Sequence, residues 1–356
     1  MKLNFYKKGI MNSLPSTMRA SVLLGPKSLA VEERALPALD DDQVLVEVTA
    51  VGVCGSDVHF WHDGRLGDWI VDEPLVLGHE SGGRIVAVGR AVDLERVGER
   101  VSIEPQRPTP TSHETLIGRY NLDPDMRFYA TPGVDGAFAQ YVAIQSHFAW
   151  AVPDTVSDDA AALLEPLSVA IATAQKGGIT IGTRVLITGA GPIGIITAQV
   201  ARAYGASEII ISDVSPARRA QALTFGATRA IDPQVEEISM LGLEVDVFVD
   251  ASGAASAVQS GLRAVRAGGV VVLVGMGAVE IALPISVIQN RELIVTGIFR
   301  YANTWPTAIE LVSRGLVDLD SLVTGHFDLD QVDAALRSTT QPGVLKSIVT
   351  PNTSAQ

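Results

Sequence analysis

The chain has 356 residues, more than one hydrophobic core usually organises, so two domains are expected. Hydrophobic residues make up 47% and charged residues 19%, which supplies a core and excludes an intrinsically disordered chain. Lysine and arginine number 27 against 40 acidic residues, net −13, and a field of that sign repels phosphate backbones and anionic lipid, so neither nucleic acid nor a membrane surface is expected as a partner.

From Met18 the chain alternates short β-rich runs with turn residues: Arg19–Leu24, Gln43–Ala50, Gly83–Val88, Arg100–Ile103 and Tyr141–Ile144. This predicts a mostly antiparallel β domain over residues 18–157, with residues 1–17 as an N-terminal extension. A helix is predicted over Asp158–Lys176, capped by Ser157 and stopped by Gly177-Gly178. Apolar strands follow at Val185–Thr188, Glu208–Ser212, Arg229–Ile231, Val245–Asp250, Val270–Val274 and Leu293–Gly297, alternating with helical patterns at Ile193–Tyr204, Pro216–Phe225 and Ala254–Ala267. The fold class is therefore α/β, a doubly wound parallel sheet of Rossmann type over 158–300 beside the β domain. A further strand is expected near Leu283–Val287. The tail holds helical patterns near Thr307–Arg314 and Leu329–Arg337 and a strand at Ser347–Val349; residues 301–350 are too few for a third domain and are expected to return to the first.

The stretch between Arg184 and Arg202 carries no formal charge, but Gly189, Gly191, Pro192 and Gly194 give it a turn grammar rather than that of a spanning helix. No apolar segment of signal-peptide type follows Lys2, Lys7 and Lys8, so a cytoplasmic location is expected. The single cysteine, Cys54, excludes an intrachain disulfide and a closed cysteine-rich zinc module within one chain.

Gly189-Ala190-Gly191-Pro192-Ile193-Gly194 is a G-x-G-x-x-G loop placed between a strand and a helix, and Asp213 closes the next strand. In that context the first glycine permits the turn, the second admits a pyrophosphate, the third lets the helix pack, and Asp213 bonds the adenosine ribose hydroxyls. An acid there repels a 2′-phosphate and favours NAD over NADP, with Arg218 and Arg219 close enough to soften the preference. Cys54 lies in a Gly52-Val53-Cys54-Gly55-Ser56-Asp57 run, and Gly78-His79-Glu80 follows the strand-like Pro74–Leu77. Thiolate, imidazole and carboxylate together make a donor set of catalytic zinc type.

These motifs, with Leu164-Glu165-Pro166-Leu167-Ser168-Val169, occur in the order found in zinc-dependent medium-chain dehydrogenases. Gly118-Arg119-Tyr120-Asn121-Leu122 and Phe299-Arg300-Tyr301-Ala302-Asn303-Thr304-Trp305-Pro306 resemble the polyol (sorbitol and xylitol) branch, and the likeness runs from about Met18 to Val349. The resemblance implies a GroES-like catalytic domain and NAD-dependent oxidation of a polyol at a secondary hydroxyl to the ketose. It implies one catalytic zinc per subunit, held by Cys54, His79 and Glu80 with Glu165 as a fourth group, directly or through a water. It further implies Ser56 as proton relay and Phe60, Phe128, Thr131, Arg300 and Tyr301 at the substrate. Val274, Gly275 and Met276, with Ile298, Phe299 and Arg300, join the glycine loop, Asp213 and Arg218 as cofactor-binding residues. Phe60 stands where the branch often has Tyr.

The stretch from about Glu104 to Ala130, where most of the superfamily carries a four-cysteine zinc lobe, offers Pro105, Gln106, Pro108, Ser112 and Glu114 and no cysteine, so no structural zinc is expected and the lobe must be held by packing. A homo-oligomer, dimer or tetramer, is expected to assemble through the segment near Leu283–Val287. Dehydrogenation of another secondary alcohol, such as butanediol or threonine, is the alternative activity. A non-catalytic dinucleotide-binding role is the alternative from another class.

Overall fold

The structure, a computed structural model, describes residues 14–277 and 279–352. Most of the expected N-terminal extension, residues 1–13, lies outside the described residues, and the first strand opens at Thr17. The chain forms two compact units, one from the chain up to Glu165 together with the chain from Leu319 onward, the other from Pro166 to Asp318. Both divisions fall later than the expected limits at 157/158 and 300/301, so residues 301–318, including the helix Trp305–Ser313, belong to the second unit.

The first unit is built on a seven-stranded sheet. Its order runs Ala149–Ala151, Arg100–Ile103, Glu80–Val88, Gln43–Gly52, Lys346–Thr350, Val323–Asp328, with Tyr141–Gln145 also pairing Gln43–Gly52. The long strand Gln43–Gly52 is the hub. Its Val44, Val46, Val48 and Val51 are buried in one apolar core with Ile85, Val101, Ile103, Phe138 and Ile144, the heavy β-branched filling that half-buried pleats favour. The C-terminal strand Lys346–Thr350 is antiparallel to the hub, pairing Ile348 with Gly52 and Val349 with Val51. That pairing brings the end of the chain beside the start of the metal motif.

The expected single helix over Asp158–Lys176 is two, Asp158–Ala162 and Leu164–Gly177. Pro166 is the physical reason: with no N–H it fits the first turn of a helix but not the interior, so the chain restarts just before it. Ser157 does cap the first piece, its hydroxyl accepting from Ala160 N at 2.9 Å.

The second unit is a six-stranded, all-parallel sheet ordered Arg229–Ile231, Glu208–Ser212, Arg184–Thr188, Val245–Asp250, Val265–Leu273, Ile294–Gly297. In chain order this is 3-2-1-4-5-6, the dinucleotide-binding arrangement whose crevice opens where the order reverses. Two local expectations are corrected. The helix expected over Ala254–Ala267 ends at Arg263, and the next strand starts at Val265, because Val265 enters the buried sheet core while Gly261 lies so close to the Phe248 ring that a Cβ would overlap it. The segment read as a strand near Leu283–Val287 instead leads into a helix, Ile285–Asn290. Pro284 sits at its start, where a missing N–H costs nothing, and Leu283, Val287 and Ile288 pack on the sheet core.

Candidate functional site: a metal centre and a dinucleotide loop

Cys54 precedes the helix Gly55–Asp63 in extended conformation, and its backbone N–H donates to Asp57 Oδ2 at 3.0 Å. The other oxygen of Asp57 accepts from Gly78 N at 2.9 Å and lies 3.5 Å from His79 Nδ1. One fully buried carboxylate therefore joins the two segments that bring Cys54 and His79 together. Gly78 turns the chain before His79 at φ 87, where a Cβ would press on the Phe138 ring. Glu80 opens its strand opposite Gly52, and a Cβ at Gly52 would overlap the Glu80 carboxylate. Only glycine leaves that carboxylate its place.

The ligand atoms of Cys54, His79 and Glu80 lie within 4.8 Å of one another and form a metal-capable group among the described residues. Borderline-soft thiolate with imidazole and carboxylate fits zinc, and three protein donors leave a coordination position open. Burial lowers the basicity of the His79 imidazole, but the neighbouring Asp57 carboxylate and Cys54 sulfur outweigh it and hold its pKa well above the usual value. Zinc uptake would therefore release protons. Glu165 is buried, 5% exposed, in the first turn of Leu164–Gly177 and stands outside the three-residue group.

One residue of this centre is not expected from the sequence. Lys346 is 3% exposed; its Nζ donates to both oxygens of Glu80, at 2.5 Å each, and to Val53 O at 3.0 Å. Burial disfavours its charge, yet Glu80 and then Cys54 keep its pKa above the ordinary lysine value. The signal for it was a lysine opening the short strand Lys346-Ser347-Ile348-Val349-Thr350. Nothing local links it to Glu80, which is 266 residues away in the chain.

The remaining first-unit candidates divide by exposure. Ser56 is half-buried on the helix after Cys54, whereas Phe60 is buried in the apolar core and carries no hydroxyl. Phe128 is buried with its ring 5.6 Å from the His79 ring, and Thr131 Oγ1 donates to Phe128 O at 2.7 Å. The cysteine-free lobe is held by more than packing. Glu104, fully buried, accepts from Tyr120 OH at 2.8 Å, Trp150 Nε1 at 2.8 Å and Gln106 Nε2 at 3.1 Å. Burial pushes its pKa up to about 7 against the lowering effect of those three donors.

On the second unit the glycine loop has the geometry its spacing predicts. Gly189 has φ 91, and a Cβ at Gly194 would overlap the Gly189 carbonyl. A Cβ at Gly191 would meet no protein atom within 4 Å, so the fold does not require that glycine and the space before it suits a ligand. Pro192, Ile193 and Gly194 open the helix Pro192–Ala203, whose N-terminus favours an anion. Asp213 Oδ2 accepts from Ala190 N at 2.8 Å and Oδ1 from Ser215 N at 2.7 Å, tying the acid to the glycine loop. Arg218 is half-buried on the next helix, and Arg219 pairs with the Asp232 carboxylate at 2.8 Å while donating to the backbone carbonyl of Asp213 at 2.7 Å.

The backbone N–H groups of Val274 and Gly275 both donate to Asp250 O, and Ile298 N donates to Leu273 O, placing these segments at the carboxyl ends of the sheet. Met276 and Phe299 are exposed. Arg300 adopts φ 55, a strained conformation for a non-glycine residue of the kind that gathers at functional sites, and its guanidinium lies over the Phe299 ring at 4.7 Å. Tyr301 is buried, its ring 5.2 Å from that of Trp305.

A dinucleotide loop on one unit and, on the other, a sulfur, nitrogen and oxygen donor set whose imidazole and carboxylate are buried define a metal-dependent dehydrogenase class. Comparison with known proteins narrows it. Residues 40–154 match the alcohol dehydrogenase GroES-like domain family and residues 192–314 the zinc-binding dehydrogenase family. Sorbitol dehydrogenase of Bacillus subtilis is 40% identical over 350 residues, 96% of this chain and 99% of its own length. Among solved structures, L-idonate 5-dehydrogenase of Escherichia coli superposes with a TM-score of 0.89 at 29% identity, covering 94% of this chain and 98% of that one. An alcohol dehydrogenase of Escherichia coli CFT073 with NADH gives 0.88 at 29% identity over 95% and 100% of the two chains. The chain belongs to the zinc-dependent medium-chain dehydrogenases, in their polyol branch. It is an oxidoreductase that uses zinc and a nicotinamide dinucleotide. Among the described residues no helix is long and apolar enough to cross a membrane.

Proposed function

We propose that the chain oxidises an alditol of the sorbitol or xylitol type at a secondary hydroxyl to the ketose, with NAD as hydride acceptor, one catalytic zinc per chain and no structural zinc. The observation that carries this reading is the Cys54, His79 and Glu80 set in a chain 40% identical to a sorbitol dehydrogenase along nearly its whole length. A zinc held there would supply Lewis acidity toward a substrate hydroxyl. Cys54, His79 and Glu80 hold the ion, Asp57 orients the imidazole, and Glu165 completes the set directly or through a water. The Ser56 hydroxyl passes the substrate proton outward. Phe60, Phe128 and Thr131 line the cleft, and Arg300 and Tyr301 bond substrate hydroxyls, which penalises analogues lacking them. Arg300 also faces the nicotinamide.

The dinucleotide pyrophosphate takes the space at Gly191, with Pro192, Ile193 and Gly194 at the helix N-terminus. Asp213 bonds the adenosine ribose hydroxyls and Arg218 flanks them; Val274, Gly275, Met276, Ile298 and Phe299 complete the cofactor wall. The protein acts as a homo-oligomer. Among the described residues the strand Ile294–Gly297 has a sheet neighbour on one side only, and it exposes Ile294, which supports pairing with a second copy in place of the strand expected at Leu283–Val287. A monomeric mass by light scattering at micromolar concentration contradicts this assembly.

The experiment is the initial rate of NAD reduction by zinc-loaded protein across xylitol, sorbitol, ribitol, galactitol, butanediol, threonine and isopropanol. Preference for the alditols is expected. Turnover confined to butanediol, threonine or isopropanol overturns the substrate assignment, and no turnover with zinc bound overturns the enzymatic one.

A further inference from the structure

A cavity of about 430 Å³ opens in the first unit and is lined by Arg34, Asp40, Arg107, Arg127, Tyr129 and Tyr141 among others. Arg107 and Arg127 are directly opposite one another in the two-stranded antiparallel ribbon Gln106–Arg107 and Arg127–Phe128. Residues so paired project to the same face, and like charges there repel. Among the described residues neither arginine has a carboxylate within ion-pair distance, although the chain as a whole is strongly acidic. Arg107 donates through Nη2 to Ala143 O and lies over the Tyr129 ring at 5.2 Å, while its Nε is buried and makes no hydrogen bond. Of the two acids on the wall, Asp135 is already committed to Val76 N at 2.9 Å and to Arg34 at 3.5 Å, which leaves Asp40 alone against Arg107 and Arg127.

We propose that this cavity is a second ligand site, separate from the metal centre, that takes the phosphate or carboxylate group of a small organic anion between Arg107 and Arg127. Planar guanidinium groups match both oxyanions through paired N–H donors, and a partly enclosed site keeps those charge-assisted bonds strong. The cavity exceeds what an inorganic anion fills, so the rest of the ligand lies along the Tyr129 and Tyr141 wall. Phe128 follows Arg127 directly and sits 5.6 Å from the His79 ring. An anion that clamps the ribbon therefore fixes one wall of the metal centre; this coupling alone rests on the function proposed above.

The test is titration calorimetry of the zinc-loaded protein, with NADH bound so that the glycine loop is occupied, against inorganic phosphate, glycerol 3-phosphate and succinate at constant ionic strength. Saturable binding of one equivalent is expected for glycerol 3-phosphate or succinate, more tightly than for inorganic phosphate, and the preferred arm separates a phosphate ligand from a carboxylate one. Arg127→Gln, an exposed position outside the metal centre, is expected to melt as the wild type does and to bind at least tenfold more weakly. Arg107→Gln repeats the test from the other side of the ribbon. Absence of saturable binding by all three anions, or less than a tenfold change in Arg127→Gln, overturns the proposal. The readout is binding, so a chain inactive on alditols would leave it standing.

Discussion

The glycine loop and the metal centre solve different problems with different parts of the chain. The loop, its helix and Asp213 come from one contiguous strand–turn–helix–strand segment, where Gly189 and Gly194 answer local steric demands and Gly191 leaves open space. The metal centre draws on the end of one strand, the start of a helix, the start of another strand and a C-terminal strand, joined by the buried Asp57 carboxylate and the Lys346–Glu80 pair. A site carried by one supersecondary unit can be specified by local sequence, whereas a site assembled from distant segments depends on the sheet register that brings them together.

Separating the two regions should produce the largest effect. His79→Ala is expected to abolish alditol turnover while NADH affinity, measured by fluorescence titration, stays within about twofold; loss of both in step would break the division of labour.

Lys346→Met should come next. It leaves Glu80 as a buried carboxylate without its partner, a loss worth about 3–5 kcal/mol for one member of a buried pair. Urea unfolding should show that loss in the metal-free protein and a smaller one with zinc bound, because the ion replaces the missing positive charge. An equal loss in both states would show that Glu80 does not face the metal.

The lobe around Glu104 offers a milder probe. Its folded pKa of about 7 exceeds the ordinary glutamate value of 4.5, so the folded state holds this proton more tightly than the unfolded one. The resulting stabilisation is complete below about pH 4.5 and is lost as pH rises through about 7, a change on the order of 3 kcal/mol. Glu104→Gln should lose that segment of pH dependence, and unfolding curves from pH 5 to 8 for both proteins would reveal it. Parallel curves would mean that Glu104 is already ionised throughout.

The smallest effect on stability is expected at Gly191→Ala. Its φ of −75° suits any residue and its Cβ would meet no protein atom, so the melting temperature should move by no more than the few tenths of a kcal/mol typical of an exposed substitution. NAD affinity should nevertheless fall about tenfold or more, since the methyl enters the pyrophosphate space. Unchanged affinity would place the cofactor elsewhere.

What could be read from the sequence follows this same contrast. The doubly wound sheet, its glycine loop and Asp213 were legible because apolar periodicity and turn chemistry are local. Cys54, His79 and Glu80 were legible as residue types in a recognised order, and the structure brings them together. Lys346 was not, since its role depends on the register of Lys346–Thr350 against Gln43–Gly52. The Glu104 network was missed for a related reason: Tyr120 and Trp150 reach it only after the lobe has folded back. The errors in local structure had local signals of their own. Pro166 marked the helix break and Pro284 a helix start, whereas the alanine-rich run before Gly268 was drawn into a strand by the sheet beside it.

The central claim is that Cys54, His79 and Glu80 hold one zinc in a mixed sulfur, nitrogen and oxygen set. Zinc-edge X-ray absorption of protein loaded with one equivalent of zinc tests it directly. The account predicts a single sulfur scatterer at about 2.3 Å and nitrogen or oxygen scatterers at about 2.0–2.2 Å, with the sulfur lost in Cys54→Ser. A spectrum of nitrogen and oxygen alone in the wild type, or one unchanged by the substitution, would contradict it.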